Sequence, residues 1–264
     1  MVKVVTLSSS SKGNSVLIVG EKTNLLIDAG INLKTLIEKL TLLKVEPSSI
    51  TAILSTHEHS DHSKSVGAFI RKFGSMLYCH ADGKSAMLEK IGNVDERKIV
   101  SFFDNEFYIG EFLIKSFKLP HDSSSCVGFR FTAGQNSFAY ATDLGFASEE
   151  TVSNLKNCKL VILESNHDEK MLINNVNYSP QLKSRILSRR GHLSNMASAK
   201  VVCTLAENNV KQVVLAHLSP ENNTPELCYN TVCEYLLAMG ITPGVNIKID
   251  VAPSQTLGTV FVLK

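Results

Sequence analysis

The chain has 264 residues, of which 44% are hydrophobic and 20% charged, a composition typical of a globular protein with a sizeable core. A formal net charge of +2 excludes a polycation. The sequence lacks a run of about 18 apolar residues and a leader-like start, so we expect a cytoplasmic protein with no membrane partner. Six cysteines without a CxxC pair predict buried free thiols, not disulfides or a zinc knuckle.

Apolar runs separated by polar breaks predict the elements in chain order. The first strands are expected at 2–7, 14–20, 24–28, 51–56 and 76–80, with helices capped by Asn32 and Ser63 and a third over 82–91. A β-rich middle follows, at 99–103, 106–109, 112–119, 126–133 and 137–142. The last strands are expected at 158–164, 211–217, 246–251 and 258–263, with helices near 180–190, from Ser194 to about 208 and near 225–239. This order predicts an α/β (α+β) fold of two β-sheets packed together and flanked by helices, in a single domain over 1–264.

The sharpest local pattern is THEHSDH, which directly follows the apolar strand TAILS. His57 and His59, two residues apart, can grip one metal ion, and Asp61 and His62 can turn toward a second. Imidazole and carboxylate ligands suit Zn²⁺, Mn²⁺ or Fe²⁺. Core packing rarely gathers three histidines and an aspartate so closely, so the pattern predicts a metal site.

Further metal-type side chains follow other apolar runs. His121 follows FLIKSFKLP, Asp143 follows SFAYAT and His217 follows KQVVLA. Strand ends on one edge of the sheets would bring them together as additional ligands. Asp28, which ends NLLID, is expected to orient the histidine loop without binding metal itself. Two ions about 3.5–4 Å apart would activate a bridging hydroxide.

The order of these motifs resembles the metallo-β-lactamase-fold hydrolases. That resemblance implies an αββα sandwich with two metal ions at one edge, Zn²⁺ or Mn²⁺ being the main candidates. It assigns His57, His59 and His121 to one metal, Asp61, His62 and His217 to the other, and Asp143 as the bridging ligand.

Other motifs narrow the resemblance to nucleases. RRGHLSN at 189–195 and PHDSSSCVGFRF are similar to elements of RNase Z-type nucleases. Closer still, LSSSSKGNS, LLIDAG, STHEHSDH, ATDLG, LESNHD, GHLSN and LAHLSPENN together resemble the YycJ (WalJ) group. That group implies a metal-dependent 5′→3′ exonuclease on DNA with a role in DNA repair. His192, with Asp61, would be catalytic, since His192 can donate a proton to the leaving oxygen or bind the phosphoryl group. Gly191 is expected to end one helix in a left-handed conformation, and Ser194 to cap the next.

Several further residues are candidates for supporting roles. Glu164 and His167 follow a buried strand and are expected to orient the metal ligands without binding metal themselves. For His167, an imidazole that faces the substrate and an ordinary loop residue are the alternatives. Residues 170–206 carry six basic and no acidic side chains, which suits an anionic substrate. The predicted substrate-binding residues are Ser11, Asn14, Asn166, Arg189 and Arg190. For the segment SSSSKGNS, a polar turn without a role in substrate binding is an equally good interpretation.

Two other functions use the same metal ligands. One is a phosphodiesterase for small molecules such as cyclic nucleotides, which predicts a closed pocket where a nuclease needs an open groove. The other is a thioester or lactone hydrolase, which predicts an apolar acyl pocket and leaves His192 without a role. The sequence leaves open the native metal, DNA against RNA, the cleavage direction and the oligomeric state, a homodimer included.

Overall fold

The structure is a computed structural model that describes residues 1–264. Its strands are β1 (Val2–Ser8), β2 (Ser15–Val19), β3 (Asn24–Ile27), β4 (Ile50–Leu54), β5 (Met76–His80), β6 (Ile99–Phe102), β7 (Glu106–Ile109), β8 (Phe112–Leu119), β9 (Cys126–Ala133), β10 (Asn136–Ala141), β11 (Leu160–Glu164), β12 (Gln212–Ala216), β13 (Lys248–Val251) and β14 (Phe261–Leu263). Its helices are α1 (Leu33–Leu42), α2 (Ser60–Ser63), α3 (Val66–Phe73), α4 (Lys84–Ile91), α5 (Glu149–Leu155), α6 (Glu169–Asn174), α7 (Pro180–Ile186), α8 (Asn195–Glu207) and α9 (Pro225–Ala238).

The first sheet has seven strands in the order β14-β1-β2-β3-β4-β5-β6. Strands β14 to β3 pair antiparallel along this order, and β3 to β6 pair parallel. The parallel strands are short apolar runs such as ITAIL in β4, as expected for strands buried on both faces. Asp28 and the HEHSDH loop follow the carboxyl ends of β3 and β4, the edge at which parallel sheets commonly place their binding sites.

The second sheet also has seven strands, in the order β13-β12-β11-β10-β9-β8-β7. Strand β10 pairs antiparallel with β9, whereas β10, β11, β12 and β13 pair parallel. Glu164 is the last residue of β11, and Asp143 and His217 follow β10 and β12. Three metal-type side chains therefore stand at the carboxyl ends of three adjacent parallel strands.

The chain divides into two compact units. The first comprises Met1–Ser116, Ser123–Val127 and Pro253–Lys264, and the second comprises Phe117–Asp122 and Gly128–Ala252. The predicted fold class, two mixed β-sheets with flanking helices, is confirmed, whereas the single domain over 1–264 stays a prediction. Five of the six cysteines are buried, and burial raises the pKa of Cys79 to about 11.

None of the helices described is long and apolar enough to cross a membrane.

The predicted strands all form, and the differences concern helices. The helix expected after Ser63 begins at Val66. Ser63 instead ends the short helix α2, where its hydroxyl donates to the carbonyl of Glu58. Helix α1 follows Asn32 as predicted, but the Asn32 side chain makes no capping hydrogen bond. Helices α5 and α6 lacked an apolar stripe long enough to predict them.

The β9–β10 hairpin is stabilised by an aromatic pair in the second unit. Phe131 faces Phe138 across the hairpin, and their rings stack at 4.5 Å with 3° between the planes. Both side chains are completely buried. We expect Phe131→Ala to lower the free energy of unfolding by about 3–5 kcal/mol, because it removes apolar contact and leaves a cavity. Urea denaturation followed by circular dichroism measures this change.

Val176→Ala is the control for that measurement. Val176 is 93% exposed, so its truncation should change the free energy of unfolding by no more than about 0.5 kcal/mol. Equal stabilities for Phe131→Ala and Val176→Ala would show that the aromatic pair does not contribute to the core.

Candidate metal centre

The loop after β4 gathers the histidines of the HEHSDH motif within the first unit. The ring centroid of His57 lies 4.6 Å from that of His59 and 4.3 Å from that of His62. His57 and His62 are buried, and His59 and Asp61 are half-buried. Asp61 Oδ2 lies 3.5 Å from His62 Nε2, so the structure brings these four side chains together.

Asp28 orients this loop through its contacts with Thr56 and His62. Its carboxylate accepts hydrogen bonds from the Thr56 N–H (2.9 Å) and the Thr56 hydroxyl (2.8 Å). It also lies 2.7 Å from His62 Nδ1. Donation from Nδ1 fixes the His62 tautomer whose lone pair is on Nε2, the form that binds metal. Thr56 was not predicted, although its place directly before the motif could have indicated a partner for Asp28.

The SSSSKGNS loop packs against the same motif. The Asn14 backbone N–H donates to the Asp61 carbonyl at 2.8 Å. The Asn14 side-chain amide lies 3.1 Å from His62 Nε2 and 3.5 Å from Asp61 Oδ2. Asn14 is 1% exposed, whereas Ser11 is exposed. These contacts favour a positioning role for Asn14 and leave Ser11 and Lys12 as the exposed members of the loop.

Glu164 organises the cluster of polar side chains in the second unit. Its Oε1 lies 2.9 Å from His192 Nδ1 and 2.8 Å from His217 Nδ1. Its Oε2 accepts from the Leu193 N–H (2.9 Å) and the Leu144 N–H (3.2 Å). Burial opposes ionisation of this carboxyl, but the two histidines hold its pKa at about 2. Glu164 is therefore a buried carboxylate that fixes two imidazole rings and two loops.

His121, Asp143 and His217 form a second cluster around this carboxylate. Asp143 Oδ1 lies 3.7 Å from His121 Nε2 and 3.6 Å from His217 Nε2. His121 Nδ1 is 3.2 Å from the Gly191 carbonyl, which it can reach only as a donor. Burial lowers the pKa of His121 and favours the neutral ring. The Arg190 guanidinium Nε donates to the His121 carbonyl at 3.0 Å.

His192 lies against the same cluster and is partly open to solvent, with 20% of its side chain exposed. Its Nδ1 is 3.7 Å from Asp143 Oδ1, and its ring lies 5.1 Å from that of His121. Burial lowers the pKa of His192, but the negative charge and hydrogen bond of Glu164 outweigh burial and raise it. The structure thus places a ring with an elevated pKa beside the predicted ligands of the second unit.

The turn that carries His192 differs from the sequence prediction. Gly191 is not left-handed, so the expected glycine cap is wrong. A side chain on Gly191 would begin 2.0 Å from the Ile186 carbonyl oxygen, so close approach of the backbone is what requires glycine there. Ser194 does cap α8, since its hydroxyl accepts from the Ala197 N–H.

Asn166 and His167 are buried next to this turn, and the Asn166 N–H donates to the Leu193 carbonyl at 2.8 Å. The Asn166 amide donates to the His217 carbonyl at 2.8 Å, which favours positioning over contact with substrate. The carbonyl of His167 accepts from the Asn195 N–H, and both ring nitrogens of His167 are buried without a hydrogen-bond partner. Burial lowers the pKa of His167 and favours the neutral ring, and its supporting role stays a prediction.

Three of the predicted residues have unusual backbone conformations. Asp28, Asp143 and His217 have φ angles of 57°, 65° and 58°. Residues other than glycine are uncommon in this left-handed region, and such strain clusters at functional sites. Each of the three ends a strand, so the left-handed turn directs the chain away from the sheet and leaves the side chain at its edge.

The side chains present fit divalent metal ions. Both units offer imidazole and carboxylate groups. His62, His121 and His217 each have Nδ1 at an oxygen acceptor, the usual arrangement of metal-binding histidines. In the second unit, possible ligand atoms of Asp143, Glu164, His192 and His217 all lie within 4.8 Å of one another. These histidine and aspartate clusters are able to bind metal.

Comparison with known proteins identifies the family. Residues 11–217 match the Metallo-beta-lactamase superfamily. The chain therefore belongs to the metallo-beta-lactamase superfamily, and the expectation of an enzyme from this group of hydrolases is confirmed. YhfI of Bacillus subtilis, a metallo-beta-lactamase-fold protein, has the same fold with a TM-score of 0.72 and 17% identity, over 98% of both chains.

Two relatives are much closer in sequence. The chain is 35% identical over 255 residues to "Exodeoxyribonuclease WalJ" of Streptococcus pneumoniae, which covers 95% of this chain and 94% of that protein. It is 32% identical over 240 residues to "Exodeoxyribonuclease YycJ" of Bacillus anthracis, which covers 90% of each. The resemblance to the YycJ (WalJ) group is confirmed.

The contact between Gly30 and the HEHSDH loop gives a first prediction for the site. A side chain on Gly30 would begin 1.6 Å from the Asp61 carbonyl oxygen and 2.8 Å from the His62 N–H nitrogen. Gly30→Ala must therefore displace Asp61 and His62. We expect weaker binding of Zn²⁺, measured by competition with a chromogenic chelator, with circular dichroism as a check on folding.

Gly83→Ala is the matched control. A side chain there would lie 3.4 Å from its nearest neighbour, an ordinary contact, and the φ angle of −93° suits alanine. Zinc affinity should stay at the wild-type value in Gly83→Ala. The role of Gly30 is wrong if both variants bind zinc as wild type does.

Glu164→Gln tests the organising carboxylate. The amide keeps the size of the side chain but removes its charge and directs an NH₂ group at groups that donate hydrogen bonds. We expect metal affinity to fall by about 10- to 100-fold, as when an outer-shell partner of a ligand is removed. Isothermal titration with Zn²⁺ measures the loss, and Glu169→Gln, at an exposed position, should leave it unchanged.

Proposed function

We propose that this chain is a metal-dependent exonuclease that removes nucleotides from DNA in the 5′→3′ direction, in the cytoplasm and in DNA repair. The observation that carries this proposal is the 35% identity to an exodeoxyribonuclease along 95% of the chain. The two clusters of histidine and aspartate supply the side chains that such an enzyme needs.

The ligand assignment in this proposal is the one that the family resemblance implies, and the single domain over 1–264 is part of the same proposal. One divalent ion would be held by His57, His59 and His121, and a second by Asp61, His62 and His217, with Asp143 between them. Imidazole and carboxylate groups suit Zn²⁺ and Mn²⁺, and also Fe²⁺. When bound, ions of this kind lower the pKa of coordinated water and neutralise charge on a phosphoryl group.

His192 is the proposed proton donor to the leaving oxygen, or a ligand of the phosphoryl group. Glu164 holds Nδ1 at 2.9 Å, which fixes the plane of the ring and favours its protonated form. A protonated ring held on one nitrogen can donate from the other. Partial exposure of the side chain lets a substrate reach it.

The basic residues near His192 are proposed to bind the DNA backbone. Arg189 and Arg190 are exposed and directly precede Gly191. The contact of Arg190 with the His121 carbonyl keeps its guanidinium beside a predicted metal ligand. Contacts with phosphates release counterions, so affinity for DNA should fall steeply as salt concentration rises.

A time course on duplex DNA with a 5′-phosphate, labelled at one end, tests this function with Mn²⁺ or Zn²⁺ added. Wild type should shorten the labelled strand stepwise from its 5′ end. His192→Ala should slow this by about 10²- to 10⁴-fold, the usual contribution of a general acid, while keeping its metal. Asp61→Ala should lose activity together with metal, counted by plasma mass spectrometry.

Three results would contradict the proposal in different ways. Shortening from the 3′ end would reverse the direction. Degradation of RNA alone would change the substrate. Turnover of bis(p-nitrophenyl) phosphate without cleavage of any nucleic acid would identify a phosphodiesterase for small molecules. Wild-type rates in His192→Ala would remove His192 from the reaction and leave the metal ligands unaffected.

A further inference from the structure

Arg189 lies on the face of an aromatic ring in the second unit. Its guanidinium carbon is 4.0 Å from the centroid of the Phe146 ring. Neither the metal ligands nor His192 explain this contact. We propose that Arg189 and Phe146 form a platform on which a nucleobase of the DNA stacks. This rests on the proposed nuclease function and adds a base contact to the phosphate contact already proposed for Arg189.

The backbone holds the platform in place. A side chain on Gly145 would begin 2.3 Å from the Arg189 carbonyl carbon, so the two chains pass in direct contact. The Gly145 N–H also donates to the Pro120 carbonyl at 3.0 Å. The ring of Phe146 is half-buried, and Arg189 is exposed above it. These contacts fix the backbone next to Phe146 against the backbone of Arg189, so the ring and the guanidinium are held on adjacent segments.

The platform belongs to the same assembly as His192. Glu164 binds the Asp143 and Leu144 N–H groups and also the Leu193 N–H and the His192 ring. Phe146 follows Asp143 by three residues, and His192 follows Arg189 by three. Three residues span at most about 10 Å. Arg189 and His192 are therefore close enough for a segment of one or two nucleotides to contact both.

The neighbouring basic side chains have different partners. Arg185 pairs with Asp122, Lys183 donates to the Ile173 carbonyl, and Arg190 donates to the His121 carbonyl. Those three side chains make hydrogen bonds or ion pairs, whereas the flat face of the Arg189 guanidinium packs on the Phe146 ring. A guanidinium with one face on phenylalanine presents its opposite face outward, and nucleobases stack on such planes.

Stacking of this kind tolerates any sequence. Each base has a π-face, and the contact does not read the edge of the base. An exonuclease that moves along DNA needs a contact of this type, because the base at the site changes with every step. The platform thus provides affinity for a base without preference among the four.

Abasic DNA tests the platform. We expect Arg189→Lys, which keeps the charge but loses the plane, to raise KM on 5′-phosphorylated DNA about tenfold with kcat little changed. Phe146→Leu, which removes the ring, should do the same. Wild type should show the same rise in KM when one of the two 5′-terminal nucleotides lacks its base. On that abasic DNA, Arg189→Lys and Phe146→Leu should not raise KM further. Arg97→Lys, at an exposed arginine of the other unit, is the control.

The outcomes separate the platform from the nuclease function. The platform would be overturned if both variants had the wild-type KM, or if they raised KM equally on intact and abasic DNA. Neither result would contradict the nuclease function. If wild type cleaves no DNA, the nuclease proposal fails, and fluorescence anisotropy with intact and fully abasic oligonucleotides still decides on the platform. Weaker binding of the abasic strand by wild type but not by Arg189→Lys would support it, and equal binding would exclude it.

Discussion

A buried carboxylate determines how the second unit is assembled. Glu164 has no exposed surface, and a charge in that position is stable only when it is fully hydrogen-bonded. Its partners are the rings of His192 and His217 and the backbone at Leu144 and Leu193. The need to satisfy one charge therefore brings together the loops after β10 and β12 and the turn before α8. The positions of His192, His217 and the proposed arginine platform all depend on it.

The first unit uses the same arrangement independently. Asp28 is buried after a strand, accepts two hydrogen bonds from Thr56 and contacts His62 Nδ1. In both units a carboxylate at the end of a parallel strand fixes the tautomer of a histidine on a neighbouring loop. A rigid strand end supplies the position and a hydrogen bond supplies the orientation. Metal ligands need both, because a ring that can rotate pays conformational entropy each time an ion binds.

The strands could be predicted from the sequence because they depend on local pattern, and the candidate ligands could be proposed on the same basis. An apolar run predicts β4, and a histidine that ends such a run is visible without a structure. Contacts between distant residues have no such signal. Nothing in the spacing shows that Asn14 reaches His62, that Gly30 lies against Asp61, or that Phe146 supports Arg189. The error at Gly191 has the same origin, since its need for glycine comes from the Ile186 carbonyl and not from its own φ angle.

The left-handed residues restrict how this site can be redesigned. Aspartate, asparagine and histidine are enriched several-fold in that conformation among residues with side chains. Asp28, Asp143 and His217 therefore meet two demands with one residue, a backbone turn and a chemical group. Replacing His217 with a thiolate to favour a softer metal would add a backbone cost of about 1–2 kcal/mol to any change in ligand strength. Among the proposed ligands, His59 and Asp61 lack that constraint and are the better positions to alter for a different ion.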